Sequence, residues 1–193
     1  MRKRWTVAMA GLLLIVAALG MQGHINAAAT GLSATISISV GGTYSSTVDL
    51  ITAQAAVAFP TKSVSLTFGQ GANQADRLFT DTRSTAVAED LDVNAGALTD
   101  AFGNVFTIAE MKVLIVCAPT ANTANILLGG DAASVPFLDT AATTTTIKPG
   151  GCFVKTDPSA GGITVTAATG DIIQVAPSAG TQAYDIIVIG SSV

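Results

Sequence analysis

Apolar and small polar residues alternate with a period of two along most of this chain, as strands with one buried face require. In LSATISISV, Leu32, Ala34, Ile36, Ile38 and Val40 share one face, and small polar residues fill the other. KSVSLTF repeats the pattern with Val64, Leu66 and Phe68. FTIAEMKVLIVCA, from Phe106 to Ala118, becomes continuously apolar, as expected of a strand entering the middle of a core. GITVTA and AYDIIVIG close the chain in the same style. The last is the most apolar and is expected at the centre of a sheet.

Turn residues separate these runs: Gly41-Gly42, Gly69 to Asn73, Asn94 to Gly96, Gly129-Gly130-Asp131, Pro149-Gly150-Gly151, Asp157 to Gly162 and Gly170-Asp171. About ten strands at short spacing predict an all-β, single-domain antiparallel β-sandwich of jelly-roll type over residues 30–193. DLITAQAAVAF, near residues 49–59, reads as a short helix on its alanines, and Thr99 or Asp100 is placed to cap a turn in LTDAFGNVF. The threonines at 143–146 read as a strand edge or loop.

The first 29 residues differ. Arg2, Lys3 and Arg4 precede an uncharged run from Val7 to Met21, and Ala27, Ala28 and Ala29 follow a short polar stretch. That order predicts a signal-like helix cleaved after Ala29. Two alternatives stand beside it, an uncleaved apolar leader that is the chain's only membrane contact, or translation from Met21. The apolar run is about fifteen residues, short of the roughly 20 that span a bilayer.

Beyond Ala29 the chain holds six Lys and Arg against thirteen Asp and Glu, a net charge of −7. Such a balance offers no basic patch to a phosphate backbone, so nucleic acid is not an expected partner. A surface this poor in charge suits burial against neighbouring subunits. The one histidine, His24, lies in the leader, so the domain has no histidine for a nucleophile pair or a metal site. No catalytic residues and no cofactor are expected. Glu89 and Glu110, with the aspartates, are the only raw material for a carboxylate pair.

EDLDVNAG supplies a weak metal candidate in Asp90, Asp92 and Asn94, spaced as at the start of a calcium loop. Ala95 and Ala101 stand where that loop needs a glycine and a bidentate glutamate, so an acidic strand face running into a turn is the favoured reading. Cys117 ends one apolar run and Cys152 begins another, so both are expected to be buried. They either pair across a loop of about 35 residues, adding roughly 3–4 kcal/mol, or remain two buried thiols. Arg77, Phe79, Asp81 and Arg83 share a strand face, suited to surface pairing or to salt bridges between subunits. Most of the seven phenylalanines sit in apolar alternation and are expected in the core.

Taken in order, Asp76 to Arg83, Asp90-Leu91, Leu98 to Gly103, Lys112, Pro149 to Gly151, Gly170-Asp171 and Tyr184 to Gly190 form a series of motifs. The series runs D-R-x-x-x-x-T-R, D-L, L-T-D-x-F-G, a lysine in an apolar strand, P-G-G, G-D and Y-D-I-x-x-x-G. It resembles a group of small structural proteins of tailed-bacteriophage virions, over roughly residues 40–190. The resemblance implies a non-enzymatic β-sandwich that packs with copies of itself or with other virion proteins, as head decoration or in the tail. The leader departs from that group, whose members begin near the first strand. It points instead to an exported bacterial surface domain: an adhesin, an appendage or surface-layer subunit, or a carbohydrate-binding module, secreted, periplasmic or on the cell surface.

Overall fold

The computed structural model describes residues 31–48 and 51–192, so the leader and its cleavage lie outside the described residues. The protein is all-β, with no helix among those residues. Strands β1 (Ser33–Val48) and β2 (Ile51–Phe68) form a long antiparallel hairpin, and β3 (Gln74–Ala75) adds a short parallel pairing at its base. Strands β4 (Arg77–Thr85) and β5 (Glu89–Asp92) follow, then a small hairpin of β6 (Leu98–Thr99) and β7 (Val105–Phe106). Next come β8 (Glu110–Cys117), β9 (Ile126–Gly129), β10 (Thr144–Ile147) and β11 (Cys152–Thr156). Strands β12 (Ile163–Thr164), β13 (Ile172–Pro177) and β14 (Gln182–Ser191) complete the chain.

Two antiparallel sheets carry the core. One has the order β10-β9-β13-β5, and the other β11-β8-β14-β4 with β12 also paired to β8. A single buried cluster draws Leu91, Ile126, Leu128, Ile173 and Val175 from the first and Phe79, Leu114, Val116, Tyr184, Ile186 and Val188 from the second. The apolar C-terminal run is central, as expected: β14 pairs with β4 on one side and β8 on the other. The threonine run becomes β10, at a sheet edge. At Gly190 the ladder shifts register, and a Cβ there would collide with the Glu110 carbonyl oxygen, so the close crossing of β14 and β8 needs a residue without one.

Two local expectations are corrected. Residues 51–59 form no helix; they pair with residues 40–48 in the ladder of β1 and β2. Alanine's helix preference is a weak prior, and a long strand partner overrides it. Nor is there a turn at Gly41-Gly42. β1 runs straight through both glycines, opposite Ala58 and Val57. The turn expected at Asp100 does form: its carboxylate accepts the Phe102 and Asn104 amides at 2.8 and 2.9 Å between β6 and β7.

The two cysteines pair. Cys152 stands directly opposite Cys117 on neighbouring strands, and the Cys117–Cys152 disulfide joins them with 4.1 Å between the Cα atoms. The expectation that both sulfurs are buried is wrong, because they lie on the face of β8 and β11 turned away from the core, with Cys152 exposed. Reduction, or Cys152→Ser, is expected to cost about 2–4 kcal/mol, the usual range for a bridge closing a loop of this length. Thermal unfolding with and without reductant reads this directly; an unchanged midpoint would mean that the ladder alone holds the two strands.

Candidate assembly surface

At about 3.3 Å per residue, β1 is roughly 50 Å long, well beyond the 3–10 residues of an ordinary strand. Its inner part is anchored. Leu32, Ala34, Ile36, Val64 and Leu66 pack on Val113, Ile115, Ile187 and Ile189, which cover the outer face of β8 and β14. Strand alternation and register arrange that outer face in rows: Thr156, Val113, Ile189 and Leu78; then Val154, Ile115, Ile187 and Thr80; then Cys152, Cys117, Asp185 and Thr82.

Beyond Ser37 the described side chains of the hairpin are exposed on both faces. A bulge explains how the ribbon stays two-faced. Ile38 pairs with Lys62 and Val40 with Phe59, so β2 carries one extra residue there. The extra residue reverses the phase of β2. Residues of odd number on its outer part therefore join the face that even-numbered residues occupy nearer the base. Leu32, Ala34, Ile36, Ile38, Val40 and Tyr44 on β1 thus share one face with Leu66, Val64, Lys62, Phe59 and Ala55 on β2, a face that is apolar except at Lys62. The opposite face carries Ser37, Gly41, Thr43, Ser45, Gln54, Ala56 and Ala58. The inner half of the apolar face is covered by the body, whereas Ile38, Val40, Tyr44 and Phe59 are bare, Tyr44 at 73% exposure.

The residues singled out from the sequence fall elsewhere and apart. Asp90 accepts a hydrogen bond from the Gln174 amide at 2.8 Å. Asp92 caps the following turn by accepting the Asn94 and Ala95 amides, while the Asn94 side chain donates to the Ile108 carbonyl. These three are the ends of a strand and a turn, and no group of three ligand-type side chains gathers among the described residues.

Arg77 meets Asp76, and Arg83 binds both Asp81 and Glu89, so the charged strand face pairs within the chain. The buried Tyr184 donates its hydroxyl to Glu89 at 2.7 Å; burial, and then that carboxylate, push the phenol above its usual range. Arg83 loses some affinity for its proton to burial, but its bonds to Glu89 more than restore it. Glu110, the other half of the carboxylate pair considered, is taken by Lys112 and Ser191.

A second apolar feature lies at the foot of the ribbon. A groove of about 250 Å³ is lined by Gly31, Leu32, Ser33, Leu78, Ala101 and Phe102, with Asp76 and Asp100 at its rim. Both carboxylates are occupied, Asp76 by the Ser192 amide and hydroxyl and Asp100 by its turn amides.

Those turn carboxylates make a pH prediction. Asp100 loses from burial, yet the bonds from Asn104 and Phe102 hold its pKa below the ordinary value. The Ser159 bonds hold Asp157 low in the same way. A lowered folded pKa contributes stability that is present above the unfolded value, near 3.8, and lost as pH falls through the folded one. The protection of the Phe102, Asn104 and Ser159 amides, measured against their intrinsic exchange rates at each pH, should therefore fall on acidification below about pH 4, ahead of β8 and β14. Exchange that stays uniform across the chain would contradict it.

Sequence reasoning missed the exposed ribbon. Most phenylalanines do lie in or against the core, as expected (Phe79, Phe106, Phe137 and Phe153), but Phe59, Phe68 and Phe102 are exposed. The available signal was the strand-compatible run TYSSTV past Gly41-Gly42, which carries Tyr44 on the face of Val40 and lacks the turn that the glycines suggested. Comparison of the chain with protein-family models, with curated proteins and with solved structures returned no match.

Proposed function

We propose that this chain is a non-enzymatic structural subunit of a tailed-phage or prophage virion, a head-decoration or tail-associated β-sandwich that works by packing against other subunits. The observation that carries the reading is the ribbon, whose outer half exposes an apolar face with no cover from its own domain. Contiguous exposed apolar surface on a folded domain marks a contact site. The core shared by two facing sheets supports a sandwich of jelly-roll type, and the motif series from Asp76 to Gly190 supports the virion. Purified particles test it. The chain should be present in them at a fixed copy number per particle, and its absence would refute the reading.

A second reading has its own support, the Cys117–Cys152 disulfide together with the charged-then-apolar leader. Disulfides persist in oxidising compartments, so this pair fits an exported surface domain: an adhesin, an appendage or surface-layer subunit, or a carbohydrate-binding module. Intact mass and terminal peptides of the native protein separate the two. A chain starting near Thr30 in the periplasm or medium favours export, and one starting at or beyond Met21 in particles favours the virion.

A further inference from the structure

We propose that, in a virion or on a cell surface alike, the Cys117–Cys152 bridge exchanges with low-molecular-weight thiols, which enter at Cys152 because Asp185 guards Cys117.

The bridge is accessible. Both cysteines lie on the outer face of their sheet, and β11, which carries Cys152, is an edge strand. Cys152 is exposed and Cys117 half-buried. The apolar layer beneath the ribbon reaches Ile115 and Ile187, one row short of Cys117 and Asp185. Val154, next along the same face of β11, is 39% exposed, so the ribbon leaves this edge open. Exposed disulfides are the labile ones, whereas buried structural bridges resist exchange.

The direction of attack selects the sulfur. A thiolate displaces one sulfur of a disulfide by approaching the other along the extension of the S–S bond. Cys117 and Cys152 stand directly opposite on neighbouring strands, so the bond leads from one strand towards the other. In-line approach to Cys152 therefore comes from beyond β11, where no described strand of the sheet lies. In-line approach to Cys117 comes from over β14, where Asp185 stands opposite Cys117 on the same face. The Thr82 hydroxyl donates to Asp185 at 2.6 Å and so holds its carboxylate there. That charge repels an incoming thiolate, and nothing comparable faces Cys152 along its row.

The step balances with the thiol alone. The thiolate sulfur bonds to Cys152 Sγ, the S–S bond breaks, and its electron pair leaves on Cys117 Sγ, which takes a proton from water. A second thiolate attacking the mixed disulfide releases the Cys152 thiolate. Two electrons then reside on the cysteines, and the two small thiols have become a disulfide. The fold does not have to open for this. β11 keeps its ladder to β8 from Phe153 to Thr156, and Phe153 stays packed against the core.

Glutathione tests it, added in millimolar excess to the folded whole chain and quenched early with N-ethylmaleimide. Peptide masses then locate both labels. Glutathione on Cys152 with maleimide on Cys117 should exceed the reverse product at least about tenfold. In Asp185→Asn, whose amide oxygen still accepts the Thr82 hydroxyl, attack at Cys117 should rise and the ratio should fall severalfold. Asp185 is exposed, so this variant should keep the thermal midpoint of the wild type. Glutathione on Cys117 in equal or greater amount overturns the proposal, and so does a ratio that Asp185→Asn leaves unchanged. A bridge that opens in urea but stays closed in the folded chain overturns it as well, since exchange would then require unfolding.

Discussion

Removal of residues 184–193 is expected to abolish soluble expression. The deletion takes nearly all of β14, the strand that pairs with β4 through nine residues and with β8 through seven. Tyr184, Ile186 and Val188 leave the core shared by the two sheets, and Ile187 and Ile189 leave the layer beneath the ribbon. Each fully buried side chain of this size contributes about 1.5–3 kcal/mol. Four of these five are fully buried, and at about 6–12 kcal/mol together they are comparable to the roughly 5–15 kcal/mol that a whole domain has in hand. The loss also frees the facing edges of β4 and β8, long unpaired ladders that recruit other chains. The soluble and insoluble fractions after expression give the answer. A soluble, monomeric truncation product would refute the central role of β14.

Lys112→Ala is expected to destabilise the protein by about 3–5 kcal/mol, the usual cost of removing one partner from a buried ion pair. Lys112 is 0% exposed, an extreme position for an ammonium group. It donates to Glu110 at 2.7 Å and to the Ser159 and Ala160 carbonyls at 2.7 and 2.6 Å. Its own backbone carbonyl accepts the Asp157 amide at 2.8 Å. One residue of β8 therefore fastens the whole 157–162 loop onto the sheet, and Gly162 packs directly against its side chain. Alanine leaves Glu110 without its cation and two carbonyls without donors, and it opens a void behind Gly162. Lys112→Met fills most of the void yet restores no donor, so it should recover only part of the loss. Urea unfolding of the two variants checks both statements. A methionine variant as stable as the wild type would show that packing, rather than charge, holds the loop.

Much of the body was legible because alternation and turn chemistry are local. Segments such as TISISV and Pro149-Gly150-Gly151 report their own conformation, and Gly150 does take a left-handed φ of 80°. The apolar run DIIVIG could only be central, since no other position in an antiparallel sheet buries both faces. The helix read into residues 49–59 failed for the opposite reason: its outcome depended on 40–48 lying opposite, which no short window contains. Lys112 stood out in the sequence only as an oddity in an apolar strand; Glu110 is near it in the chain, but the two carbonyls it holds come from 47 and 48 residues away.

The candidate surface follows the same division. By itself, the sequence determined that the chain is built of strands, that β14 is central, that Asp100 caps a turn, and that no histidine serves the domain. Only the tertiary structure decided that Cys117 and Cys152 stand in register, and that Asp90, Asp92 and Asn94 look to separate partners. It also decided that the apolar alternation of β1 outruns the body that covers it. Alternation states which residues share a face, but whether a face is covered depends on what another part of the chain brings to it. Leu32 and Val40 carry the same signal in the sequence. One lies on Val113 and Ile189, and the other waits for a surface that its own domain does not supply.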